Sequence, residues 1–152
     1  REQLSGARLG FVLGMIFLPL IFWNFESAAM KRDIRIQIKN IRYAEGTIFL
    51  CLSTREDKFM EVCSLNWQVD IGAKGMTVFV AEGIPEGHYA ISAFHDLNGN
   101  GELDKVRLLG IPKEPFGFSG NPRIILGAPN FEDCAFVVDE ETSDLNLILK
   151  EM

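Results

Sequence analysis

An all-β sandwich is the fold class this sequence predicts, and three observations predict it. About six short runs of alternating or wholly apolar residues recur between turn signals, no long amphipathic helical period interrupts them, and 14 Gly and 6 Pro in 152 residues supply the turns. The length fits one domain, since a single core spans about 100–150 residues. A chain with 47% hydrophobic and 24% charged residues is neither disordered, collagen-like nor a coiled coil. The formal net charge of −6 argues against a nucleic-acid partner, because phosphate binding needs a cationic face.

The first element is a leader. Arg1 and Arg8 flank an uncharged run over 9–25, greasiest at 11–23 (FVLGMIFLPLIFW). That core is short for a membrane span of about 20 residues but fits a signal-peptide h-region of about 7–15. Ser27, Ala28 and Ala29 place small side chains at the −3 and −1 positions of a cut after Ala29. Residues 1–29 are therefore expected to form a hydrophobic signal helix, and residues 30–152 the exported domain, in the periplasm or outside the cell. The competing expectation is an uncleaved anchor holding the chain at a membrane through residues 9–25. In an oxidising compartment Cys51, Cys63 and Cys134 permit one disulfide and leave one thiol. Cys51 and Cys134 sit in apolar runs and read as small core residues; a Cys51–Cys63 bridge stays open. The spacing matches no zinc pattern.

The strands follow in order. Residues 33–41 (DIRIQIKNI) alternate Ile34, Ile36 and Ile38 with Arg35, Gln37 and Lys39, a strand with one wet face. A turn at 43–46 leads to 47–53 (TIFLCLS), apolar on both sides and expected at the centre of a sheet covered on both faces. Residues 54–72 read as a loop with a short helical turn. Strands are expected at 76–81 (MTVFVA) and, after a Pro-Gly turn at 84–87, at 88–95 (HYAISAFH), with Tyr89, Ile91 and Ala93 on one face and Ala90, Ser92 and Phe94 on the other. A Gly/Pro/Asn-rich stretch covers 96–130. Strands at 134–138 and 145–150, joined by an acidic turn, close the domain.

The strongest chemical signal is 96–104 (DLNGNGELD). Asp96, Asn98, Asn100 and Asp104 put oxygen side chains at loop positions 1, 3, 5 and 9, Gly101 stands at position 6, and Glu102 at position 7 offers its carbonyl. Ca2+ takes 6–8 oxygens, and a Gly permits the sharp bend between alternate ligands. Position 12 is Arg107 where an EF-hand has a bidentate acid, and a strand precedes the loop where an EF-hand has a helix. A sixth ligand would come from Glu102, Glu114, Asp133 or water, and with two certain carboxylates the affinity should be on the order of 10⁻⁴–10⁻³ M. The same letters also build metal-free Asx and Asn-Gly turns.

Four segments, IPEGHYA at 84–90, HDLNGNGELD at 95–104, LGIPKEPFGFS at 109–119 and FEDCAF at 131–136, together resemble the DUF2141 family of exported bacterial proteins. The resemblance spans about residues 34–149. It implies a compact antiparallel β-sandwich of prealbumin-like or Ig-like kind, with about seven strands behind a signal peptide, and it implies no activity. Departures are minor, at Pro115-Phe116, Gly120 and Cys134.

Enzyme readings find little footing. His88 and His95 lie on opposite faces of one strand, about 23 Å apart at ordinary rise, so they do not share a metal. Residues 117–121 (GFSGN) lack the last Gly and the strand-turn-helix setting of a nucleophile elbow. The acidic pairs Glu132-Asp133 and Glu140-Glu141 read as solvated turn faces. The leading expectation is a non-enzymatic exported module that binds Ca2+ for structural stabilisation. The rival is a periplasmic ligand carrier or enzyme using His95 and the Phe116–Phe118 loop; a metal-free scaffold is the third. No protein partner or ligand is identified by the sequence.

Overall fold

The computed structural model describes residues 29–125 and 127–152. The apolar run at 9–25 and the expected signal helix lie outside the described residues. The domain is all-β: β1 (Lys31–Ile41), β2 (Thr47–Thr54), β3 (Leu65–Asp70), β4 (Gly75–Pro85), β5 (Gly87–Asp96), β6 (Phe116–Phe118), β7 (Phe136–Val138) and β8 (Asp144–Ile148), with a single helical turn α1 (Phe131–Cys134). Among the described residues no helix is long and apolar enough to cross a membrane.

Two sheets form. One has the order β4-β1-β8; the other runs β3-β2-β5-β6, with β7 also pairing β5. The alternation of β1 decides the first. Ile34, Ile36 and Ile38 are buried between the sheets while Arg35 and Lys39 stay outside, each buried side chain being worth about 1.5–3 kcal/mol. β1 pairs β4 antiparallel (Ile36↔Phe79) and β8 parallel (Ile38↔Leu147). In the second sheet β5 is the spine. One edge pairs β2 throughout, from Thr47↔Asp96 to Thr54↔Tyr89; the other is shared between β6 (Ser92↔Phe118) and β7 (His88↔Val137). The main core joins Ile34, Ile36, Ile38 and Leu147 from one sheet to Ile48, Leu50, Leu52, Ile91 and Ala93 from the other.

β5 presents its two faces as the alternation requires. Tyr89, Ile91 and Ala93 enter the main core, and Ala90 enters a second cluster with Phe116, Phe118 and Cys134, flanked by Phe59, Phe94 and Phe131. The second sheet is thus covered on its far side by loops. β2 is only half covered there, with Phe49 stacked on Phe94 at 5.0 Å.

Several sequence expectations need correction. The segment 54–72 is not all loop, because β3 runs through it. Leu65, Trp67 and Val69 alternate with Asn66, Gln68 and Asp70, but β3 is an edge strand whose apolar side is only partly buried, so the pattern is faint. Cys51 is not a free core residue: it forms a disulfide with Cys63, Cα–Cα 5.3 Å, which fastens the loop before β3 to β2. Cys134 lies in α1 rather than in a strand. That turn is set by a capping box in which Asn130 and Asp133 each accept the other's main-chain N–H. The Cys134 thiol is fully buried, and burial, with Asp133 beside it, pushes its pKa up to about 12. β4 runs on past the expected 76–81 to Pro85, and the expected turn at 84–87 carries the chain from one layer to the other, the corner held by Tyr89 Oη donating to Pro85 O at 2.9 Å and by Arg32 on Glu86.

Candidate functional site

The loop at 96–104 begins where β5 ends. Asp96 is the last residue of that strand and is 2% exposed. Its carboxylate is wrapped by the chain that follows, Oδ1 accepting from Gly99 N at 2.7 Å and Oδ2 from Gly101 N at 2.8 Å. Both glycines have positive φ, 74° and 76°, and a Cβ at either would meet nothing within 4 Å, so the requirement is for backbone freedom rather than space. Two Asx turns continue the bend: Asn98 Oδ1 accepts from Asn100 N at 3.0 Å and Asn100 Oδ1 from Glu102 N at 2.9 Å. The side-chain amides of Asn98 and Asn100 donate to the two oxygens of Asp104, at 2.6 and 3.4 Å.

Glu114 closes the loop at its base. It is 5% exposed, its Oε1 accepts from Leu97 N at 2.9 Å and its Oε2 from Asp104 N at 3.2 Å. Sequence reading offered Glu114 and Asp133 as a sixth ligand. Glu114 instead ties the two ends of the loop together, and Asp133 caps α1. Glu102 is exposed, and only its main-chain N–H enters the network. The structure therefore brings Asp96, Asn98, Asn100 and Asp104 into one hydrogen-bonded turn and leaves the Glu102 side chain outside it. Among the described residues no three His, Cys, Asp or Glu side chains form a metal-holding group. A cation here would depend on Asn and main-chain oxygens beside Asp96 and Asp104.

Burial pushes the Asp96 carboxyl up, but the main-chain amides of Gly101, Gly99, Asn100 and Asn98 together outweigh it and hold the pKa below the ordinary 3.8. Asp57, bonded to Ser64 Oγ and to Thr54, and Asp139, bonded to Thr142 and Glu141, are held low in the same way. A carboxyl depressed by folding stabilises the native state fully above its unfolded pKa, and that stability is lost as pH falls through the folded value. Urea midpoints are therefore expected to be flat with respect to these groups above about pH 5 and to fall once pH drops below about 3.8. A midpoint that rises on acidification through that range would contradict the sign.

The residues of the rival reading lie in the core. His95 is wholly buried; Nε2 donates to Glu45 O at 2.7 Å, the ring lies edge-on to Tyr43, and Nδ1 has no hydrogen-bond partner among the described residues. Phe116 and Phe118, 4% and 9% exposed, pin the long segment onto β5. Ser119 is also wholly buried, accepting from Ile91 N at 2.8 Å and donating to Cys134 O, so its hydroxyl ties β5 to the end of α1. His88 is exposed beside Thr54 and Arg55 in a shallow surface cleft, away from the loop.

A family model described as an uncharacterized protein conserved in bacteria (DUF2141) matches residues 36–146. No curated protein and no solved structure matches the chain.

Proposed function

The chain belongs to the DUF2141 family of bacterial proteins, and from that premise we propose that it serves outside the cytoplasm as a non-catalytic β-sandwich module whose 96–104 loop takes up Ca2+ weakly. The observation that carries the loop reading is the fold of the turn around Asp96. The amides of Gly99 and Gly101 hold its carboxylate, those of Asn98 and Asn100 also act on it, and Asn98, Asn100 and Asp104 turn their side chains back onto the same bend. The export reading draws on the Cys51–Cys63 disulfide, since such bonds persist in oxidising compartments. The non-catalytic reading draws on the burial of His95 and Ser119, which removes both from substrate.

A second reading has its own observation. The Asp96, Asn98 and Asn100 oxygens already accept main-chain N–H groups, so the loop closes without a metal, and a cation would have to draw Asp104 away from two Asn amides.

Thermal unfolding separates the two. At ~10 mM Ca2+ a site with Kd of about 10⁻⁴–10⁻³ M adds about 1–3 kcal/mol, which raises Tm by about 3–10 °C over the EDTA control. Asp96→Ala abolishes the difference, and Asp139→Ala, in a separate acidic turn, preserves it. Superimposable curves in Ca2+ and EDTA decide for the metal-free turn.

A further inference from the structure

Directly after the 96–104 loop the chain forms a second, smaller hairpin. Its base is closed by the bridge between Lys105 and Pro112 and by Val106 N donating to Ile111 O at 2.8 Å. Its tip is one helical turn. Leu109 N and Gly110 N both donate to Val106 O, at 3.2 and 2.9 Å, and Gly110, with φ +65°, turns the chain back. Every residue from Lys105 to Gly110 is exposed, Leu108 by 97% and Leu109 by 70%. A lone exposed leucine means little, but here two adjacent ones stand at the end of a turn.

The charges beside the tip say what it meets. Residues 105–113 (KVRLLGIPK) carry three cations and no acid, in a chain whose net charge is −6. Lys105, Arg107 and Lys113 are exposed, and none forms an ion pair among the described residues. The acids on either side are engaged: Asp104 accepts from the amides of Asn98 and Asn100, and Glu114 is the buried clamp. An apolar tip flanked by unpaired cations complements a surface that is apolar within and anionic at its rim, which describes a bilayer with anionic headgroups. A protein partner fits less well. A stable interface takes about 800 Å² from each side, and a three-residue tip offers far less, whereas a fluid bilayer needs no matching face. The amides of Val106, Leu109 and Gly110 are already bonded inside the hairpin, which lowers the cost of carrying the main chain out of water.

We propose that the hairpin at 105–113 is a membrane-docking element: Leu108 and Leu109 enter the interfacial layer of an anionic bilayer, while Lys105, Arg107 and Lys113 meet its headgroups. The element lies in the surface of the membrane and does not span it.

Fluorescence of the labelled full chain with vesicles, in EDTA, tests the docking apart from any cation at 96–104. The native cysteines do not interfere, because Cys134 is buried and the other two are bridged. An environment-sensitive fluorophore on Leu109→Cys is expected to shift to the blue, and to be quenched by spin-labelled lipid, in vesicles of equimolar phosphatidylcholine and phosphatidylglycerol but not of phosphatidylcholine alone. The same fluorophore on Glu82→Cys, on β4 of the other sheet, is expected to stay unquenched in both, even where residues 9–25 hold the chain at the vesicle. Lys105→Gln or Lys113→Gln lowers the ratio of inserted to free hairpin about fivefold, and Leu108→Asp lowers it at least about tenfold. All three positions are exposed, so Tm should not move. A fluorophore already shifted without vesicles would place a second copy on the tip. Equal quenching in both vesicles, or at Glu82, would show nearness to lipid without recognition of charge by the hairpin. Absence of quenching in the anionic vesicles would leave an acidic protein face as the partner. Each of these results, or indifference to Lys105→Gln and Lys113→Gln combined, overturns the proposal.

Discussion

Replacing Gly46 by Ala is expected to destabilise the domain by about 3–4 kcal/mol, through positive-φ strain and a backbone clash acting together. Gly46 sits in the turn between β1 and β2 with φ +89°. A Cβ there would overlap the main-chain oxygen of Asp96 and come within 3.2 Å of His95 Nε2. Neither neighbour can yield cheaply. Asp96 is held in the β2–β5 ladder opposite Thr47, and the His95 ring is buried and bonded to Glu45 O. Equilibrium urea unfolding measures the loss, with Gly72→Ala as control. Gly72 has ordinary φ and open space, so its substitution should stay within about 0.5 kcal/mol. A Gly46→Ala loss below about 1 kcal/mol would show that the turn shifts off β5 instead of clashing with it.

Asp96→Ala is expected to cost about 2–3 kcal/mol in EDTA, independent of any cation, because charge-assisted hydrogen bonds to Gly99 and Gly101 disappear together. Asp96→Asn retains one good acceptor and should lose about half as much. Glu114 still clamps Leu97 and Asp104 in both variants, so the damage should stay local. Hydrogen exchange reads this directly: the Gly99 and Gly101 amides lose protection in Asp96→Ala while amides of β1 and β2 keep theirs. Undiminished stability in Asp96→Ala would mean that solvent replaces the carboxylate at no cost and that the loop is not organised around it.

How much of this was legible depended on burial contrast. β1 and β5 announce themselves because one face is core and the other is not, so period two survives in the letters. β3 alternates as well, but its apolar side is half exposed at an edge and a disulfide holds it in place, which periodicity does not register. β6 is three residues inside a Gly/Pro-rich stretch, too short for any period. The helical turn at Phe131–Cys134 did carry a signal, Asn130 followed three residues later by Asp133, but the apolar residues after it read as a strand. At the loop, residue types and spacing pointed to Asp96, Asn98, Asn100 and Asp104, and the structure gathers those four. They did not reveal Glu114 as the clamp, because it lies ten residues beyond Asp104 and reaches the loop only through the β5–β6 register. The burial of His95 was equally hidden, since a strand-end histidine looks the same whether it faces water or core.

The parallel pairing of β1 with β8 sets the timetable of assembly. Asn40 donates to Leu149 O across 109 residues of sequence, and Ile38 lies opposite Leu147. The inner strand of the three-stranded sheet therefore keeps an open flank, and Ile36 and Ile38 keep an incomplete roof, until nearly the whole domain has been synthesised. Contacts of such long range are slow to form. A nascent polypeptide with this wiring stays threadable for most of its elongation and locks only when its final strand arrives.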